Sequence, residues 1–267
     1  MPNTKTKTAP KRTVNLLAVI DAEGIVTKET KYGDSSRILT MITRDKGKIS
    51  VLAGNVRRGK SGLLSATSLF SHSRFTLFKS GSSSLYKLNE GELITPFSEL
   101  RISLEKTAFA SYFCEVTNYI VQDEAEDFEQ FDLLLRSMYM LCKSEELEKI
   151  KAVFEFRALT SSGLLPDLSQ CGECGAETNL TRLSPHDGCL YCQNCAERHQ
   201  EALMINDGLL SAIAYISVAD SKKIFSFKMS DAALSYLSQL GEACIGILLD
   251  KNFKTLDYLR NVMSLGD

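Results

Sequence analysis

The sequence lacks any apolar run that approaches the length of a membrane-spanning helix. Its first twelve residues carry four basic side chains and none of the apolar core of a signal peptide, so we expect a cytoplasmic protein without membrane partners. Histidine is also scarce, with 3 in 267 residues, and none has the His-Glu-x-x-His spacing of zinc hydrolases. These shortages argue against a membrane span, a secreted protein and a hydrolytic metal centre.

Cysteine, by contrast, is concentrated in one segment. Cys171/Cys174 and Cys192/Cys195 form two Cys-x-x-Cys pairs with seventeen residues between them, a spacing that suits one Zn²⁺ held by four thiolates. Four thiolates can close the coordination sphere, so we expect a structural rather than a catalytic zinc. Disulfides would need an oxidising compartment, of which the sequence gives no sign. Cys189 leaves an alternative open, because Cys189/Cys192 has the same spacing and could supply the second pair.

The formal net charge of −2 hides an uneven distribution of charge along the chain. Residues 1–100 carry 16 Lys and Arg against 8 Asp and Glu, whereas residues 101–267 carry 15 against 25. A basic front part joined to an acidic remainder predicts a polyanion site in the N-terminal part. We interpret residues 1–20 as a disordered basic tail, since it combines positive charge with little apolar content.

Two kinds of periodicity divide the rest of the chain. Short β-branched runs separated by turn residues predict a small β-barrel within residues 21–100, and helical periodicity begins at residue 102. The predicted fold class is therefore α+β, with a barrel followed by a helical domain at residues 101–267 and a zinc finger inserted at about 168–200. The predicted strands are residues 25–31, 37–43, 48–53, 69–79 and 85–94, and the predicted helices are residues 102–120, 128–142, 144–158, 209–218, 231–249 and 253–263.

One loop of the predicted barrel supports two interpretations. Residues 54–61 match the phosphate-loop pattern G-x-x-x-x-G-K-[ST], and the stretch that ends at Asp250 looks like a Walker B strand. A P-loop fold needs strands that alternate with helices in a parallel sheet, whereas antiparallel strands are predicted to follow this loop. P-loop nucleotide binding is therefore one alternative function, and a zinc-ribbon adaptor protein is the other.

The preferred interpretation of the same loop is a contact with a nucleic-acid backbone. Basic residues of the barrel interleave with Phe75 and Phe78, as in proteins that bind single strands. Because alternate strand residues face the barrel interior, only one of these two rings is available to stack on a base. The predicted DNA contacts are Arg37, Lys46, Lys48, Arg57, Arg58, Lys60 and Arg74.

Eight segments, taken in order, also carry a family resemblance. They are residues 24–40, 45–53, 57–61, 88–94, 162–166, 171–174, 184–188 and 192–195. Together they resemble the RecO family of bacterial recombination mediators. The resemblance implies an N-terminal OB-fold and a helical domain with an inserted four-cysteine zinc finger. It favours Cys171, Cys174, Cys192 and Cys195 as the ligands of one structural Zn²⁺.

The same resemblance implies a function that is not enzymatic. It implies binding of single- and double-stranded DNA, annealing of complementary strands, and loading of RecA onto DNA covered by single-strand-binding protein. The implied partners are RecR and the tail of single-strand-binding protein, with RecA as an indirect partner. Two residues depart from the family pattern: Cys189 stands where the pattern has glycine, and Gly59 completes a phosphate-loop motif that the family does not need.

Overall fold

The computed structural model describes residues 17–34, 36–54, 61–80 and 83–265. A five-stranded β-barrel precedes a body of α-helices, and a small sheet is inserted between the fifth and sixth helices. This order confirms the predicted α+β fold class. The barrel consists of β1 (Leu17–Tyr32), β2 (Ser36–Thr43), β3 (Gly47–Ala53), β4 (His72–Ser80) and β5 (Leu85–Thr95), with the short helix α1 (Ser61–Ala66) between β3 and β4.

The helical body begins directly after the barrel. Its helices are α2 (Glu99–Ile102), α3 (Leu104–Ile120), α4 (Phe128–Lys143), α5 (Leu147–Ser161), α6 (Asp207–Val218), α7 (Asp231–Leu248) and α8 (Lys254–Met263). The insert contains β6 (Leu180–Ser184), β7 (Cys189–Cys192) and β8 (Leu203–Met204). No helix in the described part of the chain is long and apolar enough to cross a membrane.

The barrel has the strand arrangement of an OB-fold. Its strands run in the order β1-β2-β3-β5-β4 and close back onto β1. All neighbouring pairs are antiparallel except β3 with β5, which is parallel. A register shift between Val26 and Lys28 bends β1, so that its first half pairs with β4 and its second half with β2. Alternate residues of β3 are buried, as expected for a strand with one face toward the barrel interior.

Two elements at the edges of the barrel differ from the prediction. β1 begins at Leu17, inside the segment predicted as a tail, because the apolar residues up to Ile20 pair with the end of β4. The Ser- and Thr-rich stretch before β4 contains α1, and β4 begins only at His72. Thr67 Oγ1 donates to the Leu63 carbonyl at 2.7 Å, so a side-chain hydroxyl satisfies a carbonyl at the end of this short helix.

The surroundings of the phosphate-loop motif are those of a barrel. β3, which precedes the motif, lies between antiparallel β2 and parallel β5 in a closed sheet. Asp250 follows helix α7 rather than a strand, at φ +46°. Residues 55–60 of the motif lie outside the described residues. The described neighbours therefore do not form the parallel, helix-flanked sheet that a P-loop needs.

The barrel and the helical body meet where β3 begins. The Lys48 N–H donates to the Gln122 carbonyl at 3.2 Å, and the Glu124 N–H donates to the Lys48 carbonyl at 3.0 Å. Gly47 precedes this bridge at φ +58°, and a Cβ at Gly47 would collide with the backbone carbonyl of Ala125. Glycine is thus required here both for the backbone conformation and for the close approach of the two domains.

The contact between the start of β3 and residues 122–125 is called the domain seam below, and replacing Gly47 by alanine tests it. Gly47→Ala is expected to destabilise the protein by at least about 3 kcal/mol, since it adds a backbone collision to a left-handed conformation. Gly33→Ala is the matched control: Gly33 has φ +63° but open space around its Cβ position, so we expect a loss of about 1 kcal/mol. Denaturant unfolding of both variants measures the difference, and equal losses would contradict this view of the seam.

Candidate metal centre and nucleic-acid interface

The four paired cysteines come together at one edge of the inserted sheet. The Sγ atoms of Cys171, Cys174, Cys192 and Cys195 all lie within 4.8 Å of one another. Cys174 is exposed and the other three are buried. The cluster contains Cys195 rather than Cys189, so of the two pairings that the spacing allows, it is Cys192/Cys195 that lies next to Cys171/Cys174.

Backbone turns aim these sulfurs at a common centre. The first pair lies in a turn in which the Gly175 N–H donates to the Cys171 carbonyl at 2.9 Å, and the Gly172 N–H donates to the Leu190 carbonyl at 2.8 Å. In the second pair the Cys195 N–H donates to the Cys192 carbonyl at 3.0 Å. The hydrogen bond from Gly172 to β7 fixes the position of the first turn relative to the second.

The electrostatics of the cluster favour a bound cation. Burial opposes ionisation of Cys171, but backbone N–H groups of Cys192, Cys174 and Glu173 more than offset it and lower its pKa to about 6. At Cys195, burial and then the neighbouring thiols raise the pKa to about 12. Four adjacent thiols cannot all ionise without a compensating positive charge. The donor set therefore fits a soft, tetrahedral divalent ion such as Zn²⁺.

Charged and aromatic side chains pack around the outside of the cysteine cluster. Arg198 forms an ion pair with Glu173 at 2.5 Å and lies 3.6 Å from the sulfur of Cys195. His199 stacks on Tyr191 with ring centroids 3.6 Å apart. Neither His199 nor the exposed His186 joins the cysteine group. Cys189 lies against Gly172, outside the group.

The predicted DNA contacts are distributed over three parts of the barrel. Arg57, Arg58 and Lys60 lie outside the described residues. Arg37 pairs with Glu29 at 2.7 Å and has a side chain only 15% exposed. In the strand register Arg37 stands between Lys31 and Ala53, so the last residue of β3 lies beside it, close to the tip of the β1–β2 hairpin.

Lys46 and Lys48 lie at the opposite end of β3. Lys48 Nζ donates to the Asn118 carbonyl at 2.9 Å and lies 3.5 Å from Asp123, so this side chain connects the barrel to the helical body. Lys46 is half-buried in the β2–β3 turn. The loop that receives Lys48 is residues 121–127, between α3 and α4, and is called the acidic loop below.

Arg74 is accessible but stands in acidic surroundings. Its side chain is 66% exposed, and its nearest ion-pair partner in the described structure is Glu23 at 4.0 Å. It lines a groove of about 470 Å³ on the outer face of β1, β4 and β5. The acidic residues that line the same groove are Asp21, Glu23, Asp45, Glu90 and Glu92. This face of the barrel therefore repels phosphates over most of its area.

The two phenylalanines of β4 separate as strand alternation requires. Phe75 is buried in the barrel interior, whereas Phe78 faces outward and is half-buried. On the hairpin, Tyr32 is 54% exposed and Lys28 and Lys31 are also exposed. Sequence reasoning did not select these three residues. Lys31 and Tyr32 stand beside the turn of the β1–β2 hairpin, and this exposed position is the signal that could have marked them as candidates.

Comparison with known proteins agrees with this architecture. The model described as "Recombination protein O N terminal" matches residues 17–97, and that described as "Recombination protein O C terminal" matches residues 101–257. The chain is 32% identical over 245 residues to DNA repair protein RecO of Acetivibrio thermocellus, covering 91% of this chain and 97% of the relative. The chain belongs to the RecO family.

Other relatives match at similar levels over nearly their whole length. DNA repair protein RecO of Alkaliphilus metalliredigens is 31% identical over 247 residues, which is 91% of this chain and all of the relative. That of Caldicellulosiruptor saccharolyticus is 29% identical over 243 residues, 90% of this chain and 98% of the relative. Membership of the family supports a role for this chain as a mediator of recombination in DNA repair.

Proposed function

We propose that this RecO-family chain is a DNA-binding recombination mediator whose DNA site lies at the hairpin end of the barrel. The observation that carries the proposal is the strand register at Arg37. It brings the exposed tip of the β1–β2 hairpin and Ala53, the last residue of β3, to the same end of the closed barrel, and the basic residues Arg57, Arg58 and Lys60 follow β3 in the sequence. OB-folds bind single strands through a cationic groove and exposed aromatic rings. Lys31, Tyr32 and the loop arginines supply both kinds of group.

The proposed mechanism is physical rather than catalytic. Basic side chains at the hairpin end hold one DNA strand through its phosphates. The acidic groove around Arg74 repels that DNA strand from the opposite face of the barrel. Neutralised phosphates repel a complementary strand less, which favours annealing. RecA loading would follow once single-strand-binding protein has been displaced. Lys48 is left out of the proposed DNA contacts because its ammonium group is engaged in the domain seam.

The helical body is the proposed site for partner proteins, RecR among them. A pocket of about 450 Å³ between the barrel and α4 combines apolar side chains with two cations, one of which, Arg136, is paired with the lining residue Asp132 at 2.7 Å. Ile94 and Tyr139 line it and are 40% and 54% exposed, and Arg136 and Lys222 lie on its wall. An acidic tail with an apolar tip, such as that of single-strand-binding protein, matches this combination.

The four-cysteine cluster is the proposed site of one structural Zn²⁺. Cys171, Cys174, Cys192 and Cys195 would fill all four positions of a tetrahedral ion, leaving none for water or substrate. The ion would supply folding free energy to the insert rather than chemistry.

The basic loop is tested by the double variant Arg57→Ala/Arg58→Ala. We expect weaker binding of single-stranded DNA of any sequence, and a salt dependence shallower by about 0.7 in slope for each phosphate that the loop no longer neutralises. Lys223→Ala/Lys228→Ala, which removes the same charge from the segment between α6 and α7, should change the slope little. Fluorescence anisotropy titrations over a range of salt measure both. A chain that binds DNA without salt dependence, or not at all, would favour the adaptor alternative.

The metal is tested by comparing Cys171→Ser with Cys189→Ser. The first variant should lose bound zinc and melt at a lower temperature, because a ligand and its charge are gone. The second should keep one zinc per chain, since Cys189 lies outside the cluster. Metal analysis and thermal melts distinguish the two, and retained zinc in Cys171→Ser would refute the ligand set.

A further inference from the structure

The acidic loop places carboxylates on lysines of the barrel. Glu124 accepts hydrogen bonds from the Lys79 ammonium, with Oε2 at 2.6 Å, and Asp123 lies 3.5 Å from Lys48. Lys79 also stands over the ring of Tyr86, 4.7 Å from its centroid. The hydrogen bond from Lys79 lowers the pKa of Glu124, so the carboxylate stays charged at neutral pH.

The backbone holds this contact in place. Glu124 has φ +56°, a left-handed conformation that is rare for a residue with a side chain. The hydrogen bond from its N–H to the Lys48 carbonyl, 3.0 Å long, keeps it there. Strain of this kind persists only where the surroundings over-determine the conformation. The backbone of Glu124 is therefore held in the position from which its carboxylate reaches Lys79.

The position of the loop relates it to DNA. From Ala53, beside the proposed DNA site, to Gly47 is six residues along β3, or about 20 Å. A single strand of DNA laid along the barrel from the hairpin end would reach Lys46, Lys48 and Lys79 at the far end. There the carboxylates of the acidic loop stand where phosphates would otherwise bind.

We propose that the acidic loop is an internal competitor for nucleic acid: the Glu124 carboxylate occupies the Lys79 ammonium, which would otherwise bind a backbone phosphate, and so limits the length and strength of the DNA site. The inference rests on the proposed DNA-binding function. It assigns Lys79 to a phosphate subsite that the Glu124 carboxylate masks in this structure.

The variant Glu124→Gln tests the competition, and Glu126→Gln is its matched control. Glu126 belongs to the same loop and is exposed, and the described structure gives it no ion pair with the barrel. Glu124→Gln should bind single-stranded DNA several-fold more tightly, with a salt slope steeper by about 0.7 for each additional phosphate that the barrel neutralises. Glu126→Gln should change affinity only slightly, through net charge. Equal increases in affinity in the two variants, or no increase in Glu124→Gln, would overturn the proposal.

A second comparison assigns the effect to Lys79. Lys79→Ala in the wild-type background should barely change DNA binding, whereas in the Glu124→Gln background it should abolish the increase in affinity. An increase that persists without Lys79 would mean that the loop acts through packing instead, and the subsite would be wrong. Unfolding midpoints of all variants check that the seam is intact. If Arg57→Ala/Arg58→Ala weakens binding while Glu124→Gln does not strengthen it, only this inference fails and the proposed function stands.

Discussion

The contact between the start of β3 and the acidic loop is the constraint on which the arrangement of this protein depends. Backbone hydrogen bonds run in both directions through Lys48, and the absence of a side chain at Gly47 lets the two chain segments approach. Behind this bridge, Thr27 of β1 donates to the Asn118 side chain of α3 at 2.8 Å. Ile25 and Ile42 of the barrel belong to the same apolar core as the helices. The barrel is thus anchored to the helical body by backbone and core together, and its orientation is set.

This anchoring changes the meaning of the charge distribution. The excess of basic residues in the first hundred positions predicted a polyanion site in the N-terminal part but did not say which face of the barrel carries it. In the folded protein, however, Arg37 pairs with Glu29, Lys79 with Glu124 and Lys48 with Asp123. The groove on the outer face of β1, β4 and β5 contains five carboxylates around Arg74. The uncompensated positive charge of the described barrel is therefore confined to a few positions, and the hairpin end combines it with an exposed ring. Charge along a sequence locates a domain that binds polyanions, but pairing within the fold decides which face does so.

Local signals in the sequence were sufficient to predict most of the strands and helices. The predicted strands at 37–43, 48–53 and 85–94 correspond closely to β2, β3 and β5, because alternation and turn residues are local properties. The cysteine cluster could also be predicted from the sequence, since the spacing within each pair fixes a turn. The three short strands of the insert were missed, because strands of two to five residues are too short to show a period. The pairing of Lys79 with Glu124, 45 residues apart, depends on how the two domains dock, which no local pattern encodes.

The insert that carries the cysteine cluster packs against the core of the helical body. It lies between α5 and α6, which pack on the same core, and its own Leu183 and Leu190 are fully buried in that core. A sheet with strands this short buries too little apolar surface to be stable alone. A metal that joins the two cysteine pairs would restrict the unfolded segment and hold both leucines against the helices. Loss of the metal would then loosen the helical core where α5 meets α6. The barrel, whose interior forms a separate apolar cluster, would be affected only through the seam. A zinc ion bound in the insert would in this way act on the stability of the helical body more than on that of the barrel.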